Sequence, residues 1–118
     1  MSTRLDQHVR TLDPGAIQAL SDLLDGDDET LAELAQAMLD EAPQRIAALR
    51  STDATEVARA AHTLKSNAQT FGAIELGERC RALEAEALTG ATASADAVEA
   101  EWPRVQRALE ALRAGARP

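Results

Sequence analysis

Within A-H-T-L-K-S-N-A-Q-T-F-G-A, residues 61–73, an imidazole, the chain's single lysine, a hydroxyl and an amide fall on one helical face. His62, Lys65, Ser66 and Gln69 stand at i, i+3, i+4 and i+7, the spacing that stacks side chains along one side of a helix. A neutral imidazole is a nucleophile near physiological pH, and a cation one turn away can offset the charge of an anion it takes up. Val57, Ala61, Leu64, Ala68 and Phe71 form an adjoining apolar stripe that must face a core. The histidine is therefore expected at the rim of a buried seam, where a helix can hold it still.

The elements that position this face are read from caps, stops and periodicity. Asp13-Pro14 reads as an N-cap followed by proline at the first helical position. The helix it opens carries Ile17, Leu20, Leu23 and Leu24 and ends near Gly26. Asp27, Asp28 and Glu29 place negative charge at the start of a second helix, which the backbone dipole favours. Leu31, Leu34, Ala35, Met38, Ala42, Ile46 and Leu49 recur there at helical spacing. Pro43 interrupts this pattern and removes one ladder hydrogen bond. Two helices are an alternative, but the stripe stays in phase, which favours one bent helix.

Asp53 and Glu56 have the spacing of a capping box for a third helix, about Ala54 to Thr70. Gly72 is placed to stop it in the left-handed conformation. A fourth helix carries Leu76, Cys80, Leu83 and Ala87 and ends near Gly90, and the small polar residues 90–94 read as a loop. The last helix carries Val98, Trp102, Val105, Leu109 and Leu112, with Pro103 expected to kink it. The predicted class is all-α, an antiparallel four-helix bundle with an additional N-terminal helix. Residues 1–12 are expected to form a loose arm, 13–114 the bundle, and 115–118 a frayed end.

The stop at Gly72 allows a register to be deduced. In an antiparallel hairpin, residues equidistant from the turn lie level. The two stripes obey this: Val57 matches Ala87, Ala61 matches Leu83, Leu64 matches Cys80, and Ala68 matches Leu76. His62, just off the seam, is then level with residues 82–84, of which only Glu84 is ionisable. Glu84 is predicted to face His62, with Gly77 and Arg81 on the same edge. The bland alternative pairs Glu84 with Arg81 or Arg113 at the surface. For Nε2 to attack, the ring proton must stay on Nδ1, and a carboxylate at Glu84 would fix that tautomer. Lys65 would offset the charge of a transferred phosphoryl group. Ala58, Arg59, Ser66 and Gln69 surround the ring as small or flexible neighbours that a docking partner could approach. The docking face is expected on the second and third helices, small and suited to transient contact.

Composition excludes several classes. Asp plus Glu outnumber Lys plus Arg by 20 to 12, a net charge of −8, the wrong sign for a nucleic-acid surface. One Phe, one Trp and no Tyr leave no platform for base stacking. The 118 residues are sufficient for one domain. They contain no apolar run of membrane-spanning length and no signal-like N-terminus, so a cytoplasmic location is the default expectation. A single cysteine, Cys80, cannot form an internal disulfide and reads as core, and two histidines with one cysteine make a poor metal set. No Mg²⁺ site surrounds His62, so any metal must arrive with the partner. His8 has no apparent role, and the acidic run 25–29 reads as a solvated helix start.

Residues 61–84 resemble the histidine-containing phosphotransfer (HPt) domains of phosphorelays. The family motif A-H-x-L-K-G, then small residues, then apolar-Gly-Ala, is matched by His62, Leu64, Lys65, Phe71, Gly72 and Ala73. Leu83-Glu84 matches the downstream helix, and Asp13-Pro14 and Ala42-Pro43 are also typical. The departure is Ser66, where the family usually has glycine; serine is small enough to let a partner approach, as are Asn67 and Ala68. The resemblance implies that His62 accepts a phosphoryl group from a receiver-domain aspartate and passes it to another receiver. It implies no intrinsic cofactor, with Mg²⁺ carried by the receiver, and a monomer whose histidine stays open. It also implies a carrier rather than a kinase, since nucleotide-binding motifs are absent from the sequence. Met1 is more readily understood in a free-standing protein than in an excised domain. Two rivals remain: a helical adaptor that only docks a signalling partner, and a hydrolase using His62 as general base. Retention of both His62 and Lys65 argues against the first, and no second nucleophile or oxyanion hole supports the other.

Overall fold

The computed structural model describes residues 10–118, and within them every regular element is helical. Five helices follow in order: α1 (Pro14–Leu23), α2 (Asp28–Ala48), α3 (Ala54–Thr70), α4 (Ile74–Ala87) and α5 (Ala95–Arg113). Contacts run in a ring, α2 to α3 to α4 to α5 and back to α2, while α1 lies across α2 and α3. Arg50, just past α2, pairs with Asp96 and Glu99 at the start of α5, whereas Gln36 of α2 meets Arg113 at the end of α5. These two points order α2 and α5 in opposite directions.

Local chemistry sets the helix starts. The Asp13 carboxylate accepts from Ala16 N–H at 3.1 Å, that of Asp27 from Thr30 N–H at 3.1 Å, and that of Asp53 from Thr55 N–H at 2.9 Å. Each satisfies an amide with no partner inside the helix. The reciprocal half of the expected Asp53–Glu56 box is not made. Ser51 Oγ accepts from the Asp53 N–H instead, at 3.0 Å, because the hydroxyl two residues back reaches it without an extended glutamate chain. Loss of the α1 cap is measurable. Asp13→Ala should lower stability by about 1 kcal/mol, read as a denaturation midpoint; an unchanged midpoint would remove this cap from the energetics.

Pro43 lies inside a continuous α2, so the single-helix reading holds. The predicted stripes are buried: Val57, Ala61, Leu64 and Ala68 on α3 against Leu76, Cys80, Leu83 and Ala87 on α4, with Val98, Trp102, Val105, Leu109 and Leu112 from α5. Leu23 departs from its stripe and is 81% exposed. Six residues on from Ile17 it is rotated far from the face shared by Ile17, Leu20 and Leu24.

Both expected ends carry contacts among the described residues. Residues 1–9 of the predicted arm lie outside the described residues, but Leu12 is buried in the core and Asp13 N–H donates to Gly72 O at 2.9 Å. The end at 115–118 is mostly exposed and makes a few surface contacts. Gly115 takes positive φ, Ala116 N–H donates to Ala111 O at 2.9 Å, and Arg117 pairs with Asp28 at 3.0 Å. This is a Schellman stop, whose doubled hydrogen bonds satisfy the last carbonyls. No described helix is long and apolar enough to cross a membrane.

Candidate functional site

The α3–α4 hairpin builds the site. Its turn is a second Schellman stop, with Gly72 at φ 66° and Ala73 N–H donating to Ala68 O at 2.8 Å. Gly77 packs beside Ala68 near the turn, and His62 meets Glu84 further from it, so the two helices run antiparallel. Leu64, Cys80 and Leu83 are all buried, and the stripes they belong to fix the rotation of each helix, which places His62 and Lys65 at the rim.

His62 is open to solvent, its side chain 59% exposed. Its Nδ1 lies 2.9 Å from Glu84 Oε2, and Lys65 Nζ donates to Glu84 Oε1 at 2.8 Å. The carboxylate thus bridges two α3 side chains from α4. An ionised carboxylate only accepts, so the Nδ1 contact requires the proton on Nδ1, which in the neutral ring leaves the lone pair on Nε2. Glu84 has not gone to Arg81 or Arg113: Arg81 pairs with Glu78, and Arg113 with Gln36. The Lys65 ammonium, expected to offset the charge of a transferred phosphoryl group, rests on Glu84. At 20% and 26% exposure, Lys65 and Glu84 are better shielded than the ring they support.

The Lys65 hydrogen bond, followed by that of His62, holds the Glu84 carboxyl below its ordinary range despite the opposing effect of burial. A carboxyl depressed by folding stabilises the native state above its unfolded pKa, and that contribution fades as pH falls through the lowered native value. The stability difference between the natural chain and Glu84→Ala should therefore be constant near neutrality and shrink from about pH 4.5 downward. Thermal denaturation of both across pH tests this; a gap that persists in acid contradicts it.

Of the neighbours expected to meet a partner, Arg59, Ser66 and Gln69 are exposed, and Ala58 is half-buried against the core. Two grooves flank them. One, of about 270 Å³, lies between α1, α3 and α4 and is lined by Lys65, Gln69, Ile74, Gly77 and Arg81 among others. A smaller one of about 150 Å³ lies between α2 and α3, lined by Leu34, Met38, Asn67, Thr70 and Phe71. Among the described residues no three His, Cys, Asp or Glu side chains cluster as a metal site would. Cys80 is fully covered, and burial pushes its thiol up to about 12, so it stays protonated as a core residue.

Sequence reading missed the buried carboxylate of Glu101, 2% exposed on α5, facing Arg104 at 3.3 Å and Arg79 of α4 at 3.7 Å. The signal was available: Glu101 is three residues beyond Val98 and adjacent to Trp102, on the buried side of its helix. It lies away from His62 and serves packing between α4 and α5.

Comparison with known proteins agrees with this geometry. The family model described as Hpt domain matches residues 18–115. The structure is similar to histidine-containing phosphotransfer protein B (HptB) from Pseudomonas aeruginosa PAO1, with a TM-score of 0.79 at 24% identity, over 92% of this chain and 99% of that one. No curated protein matches. The chain belongs to the Hpt domain family, and with it to the phosphorelay proteins that carry phosphoryl groups on histidine.

Proposed function

We propose that this chain is a phosphorelay carrier in which His62 Nε2 takes a phosphoryl group from the aspartyl phosphate of one receiver domain and yields it to the aspartate of another. The observation that carries the reading is the exposed ring with Nδ1 held on Glu84 at 2.9 Å. In the forward step the Nε2 lone pair forms the P–N bond as the bond from phosphorus to the aspartyl oxygen breaks, and the aspartate leaves as a carboxylate. The ring becomes a phosphoryl-imidazolium whose proton stays on Nδ1, hydrogen-bonded to Glu84. In the return step an incoming carboxylate displaces the ring, which departs neutral because that proton never left.

The machinery this chain contributes is positioning and charge, which accounts for much of the catalysis in phosphoryl transfer. Mg²⁺ belongs to the receiver. The helices act as an antiparallel four-helix bundle, with α1 as a brace, and the protein works as a cytoplasmic monomer, since self-association would risk covering the ring. Ala58, Arg59, Ser66 and Gln69 form the partner surface around His62. Ser66, in place of the usual glycine, adds only a hydroxymethyl group to it.

Incubating the chain with a receiver domain loaded by a small acyl phosphate tests the reading. The chain should acquire acid-labile, base-stable phosphate, which a second receiver removes. Stable binding without any transfer would instead identify an adaptor. Release of inorganic phosphate with no labelled intermediate would identify a hydrolase.

A further inference from the structure

Glu101 is the one charged side chain buried among the described residues, on the edge of α5 that meets α4. Its Oε1 lies 3.3 Å from Arg104 Nη1 and 3.7 Å from Arg79 Nη1. Neither arginine is devoted to it. Arg79 Nη1 also donates to Ala97 O at 3.1 Å, and Arg104 Nη2 to Thr11 Oγ1 at 3.5 Å. Long, shared contacts of this kind offset little of the desolvation of a buried carboxylate. We propose that Glu101 is a register lock, which selects one alignment of α5 on α4 and adds little to net stability. The proposal is independent of the chemistry at His62.

The apolar stripe of α5 selects that alignment poorly by itself. Val98, Trp102, Val105, Leu109 and Leu112 follow a strict heptad and are all buried. A slide of one heptad therefore sets Val105 where Val98 was, Leu109 where Trp102 was, and Leu112 where Val105 was. Each of these seats stays apolar, so burial distinguishes the two alignments only through fit. The slide is about 10 Å along the helix axis. Residues 88–94, which join the two helices, reach roughly 23 Å when extended, so the connection does not forbid it. Either direction of slide takes Glu101 away from Arg79: one brings Ala108 into its place, the other Ser94. A single polar residue in an apolar seam specifies register in coiled coils by the same logic. Glu86 accepts from Ser94 N–H at 2.9 Å, but beside the loop, whereas Glu101 lies in the interior.

Methionine at this position separates a lock from a stabilising pair. Arg79 and Arg104 are 36% and 48% exposed and can turn to water, so Glu101→Met orphans no buried charge. Its thermal midpoint should equal or exceed that of the natural chain, while the alignment ceases to be unique. Trp102, the chain's single tryptophan, reports this. Its indole should give one ¹H–¹⁵N cross-peak in the natural chain and a second in Glu101→Met, at roughly a tenth of the intensity or more. Arg79→Met, on the other helix, should show a second peak at the same position. Its midpoint should fall by at least about 5 °C, since the buried carboxylate is left with Arg104 alone.

The slide itself can be measured. Ala111 is exposed and Cys80 buried, so a nitroxide can be placed on Ala111→Cys alone. In Glu101→Met it should broaden two sets of α4 amides about 10 Å apart, and in the unlocked position's absence, with Glu101 intact, only one. A single indole peak at the natural position in Glu101→Met would overturn the proposal. So would a midpoint that falls as far in Glu101→Met as in Arg79→Met. Second peaks at unrelated positions in the two variants, or one set of broadened amides, would reduce the effect to a local disturbance beside Trp102 and overturn it equally.

Discussion

Glutamine at position 62 is expected to abolish acid-labile phosphate on this chain, lowering label by at least about a thousandfold, the scale of losing a catalytic nucleophile. A side-chain amide offers no basic lone pair to attack phosphorus, and no other histidine occurs within the described residues. The fold should not change. The His62 side chain is 59% exposed, and the Glu84 carboxylate it leaves retains Lys65. Surface substitutions of this kind stay within about 0.5 kcal/mol, so the thermal midpoint provides the control. Affinity for a receiver should also survive, since Ala58, Arg59, Ser66 and Gln69 are untouched. Label that persists on His62→Gln would place the phosphoryl group elsewhere and end the proposal.

Gly72→Val should cause the largest loss of stability. Gly72 has φ 66°, where a β-branched residue is strained. Space is the second problem: a Cβ there would lie 2.6 Å from Ala16 Cβ and 2.9 Å from Asp13 Cβ. The start of α1 sits directly on the α3–α4 turn, held by the Asp13 N–H bond to Gly72 O. Positive φ costs about 1–2 kcal/mol and overpacking typically 1–3 kcal/mol, so a total of roughly 2–5 kcal/mol is expected. Gly90→Val isolates the conformational part, because Gly90 has φ 86° with nothing within 4 Å of the added carbon. Its loss should be the smaller by about 1–3 kcal/mol. Equal losses, measured by denaturant titration, would show that the contact with α1 has no energetic weight.

The hairpin was legible because its signals are local and repeat. Apolar residues at helical spacing fix which face of α3 and α4 turns inward, and one glycine fixes where the chain reverses. Together they determine which residues lie level, so Glu84 could be placed opposite His62 before any coordinates. The same reasoning could not place Lys65. A lysine stem spans several ångströms with four rotatable bonds, and its end was equally able to reach solvent, a ligand or Glu84. Nor could it see that Leu12 is buried, since one leucine before a cap carries no periodicity. Arg117 joins Asp28 across the length of the chain, a pairing no local pattern announces.

By itself the sequence determined the helices, their stops, the buried seam and the histidine that stands beside it. Those follow from backbone hydrogen bonding and the 3.6-residue period, which act between near neighbours. Only the tertiary structure decided that Lys65 is committed to Glu84, that α1 closes against Gly72, and that Glu101 is buried between α4 and α5. Each of these depends on where flexible side chains or distant segments settle once the core has packed, a choice made by the whole molecule and not by any stretch of it.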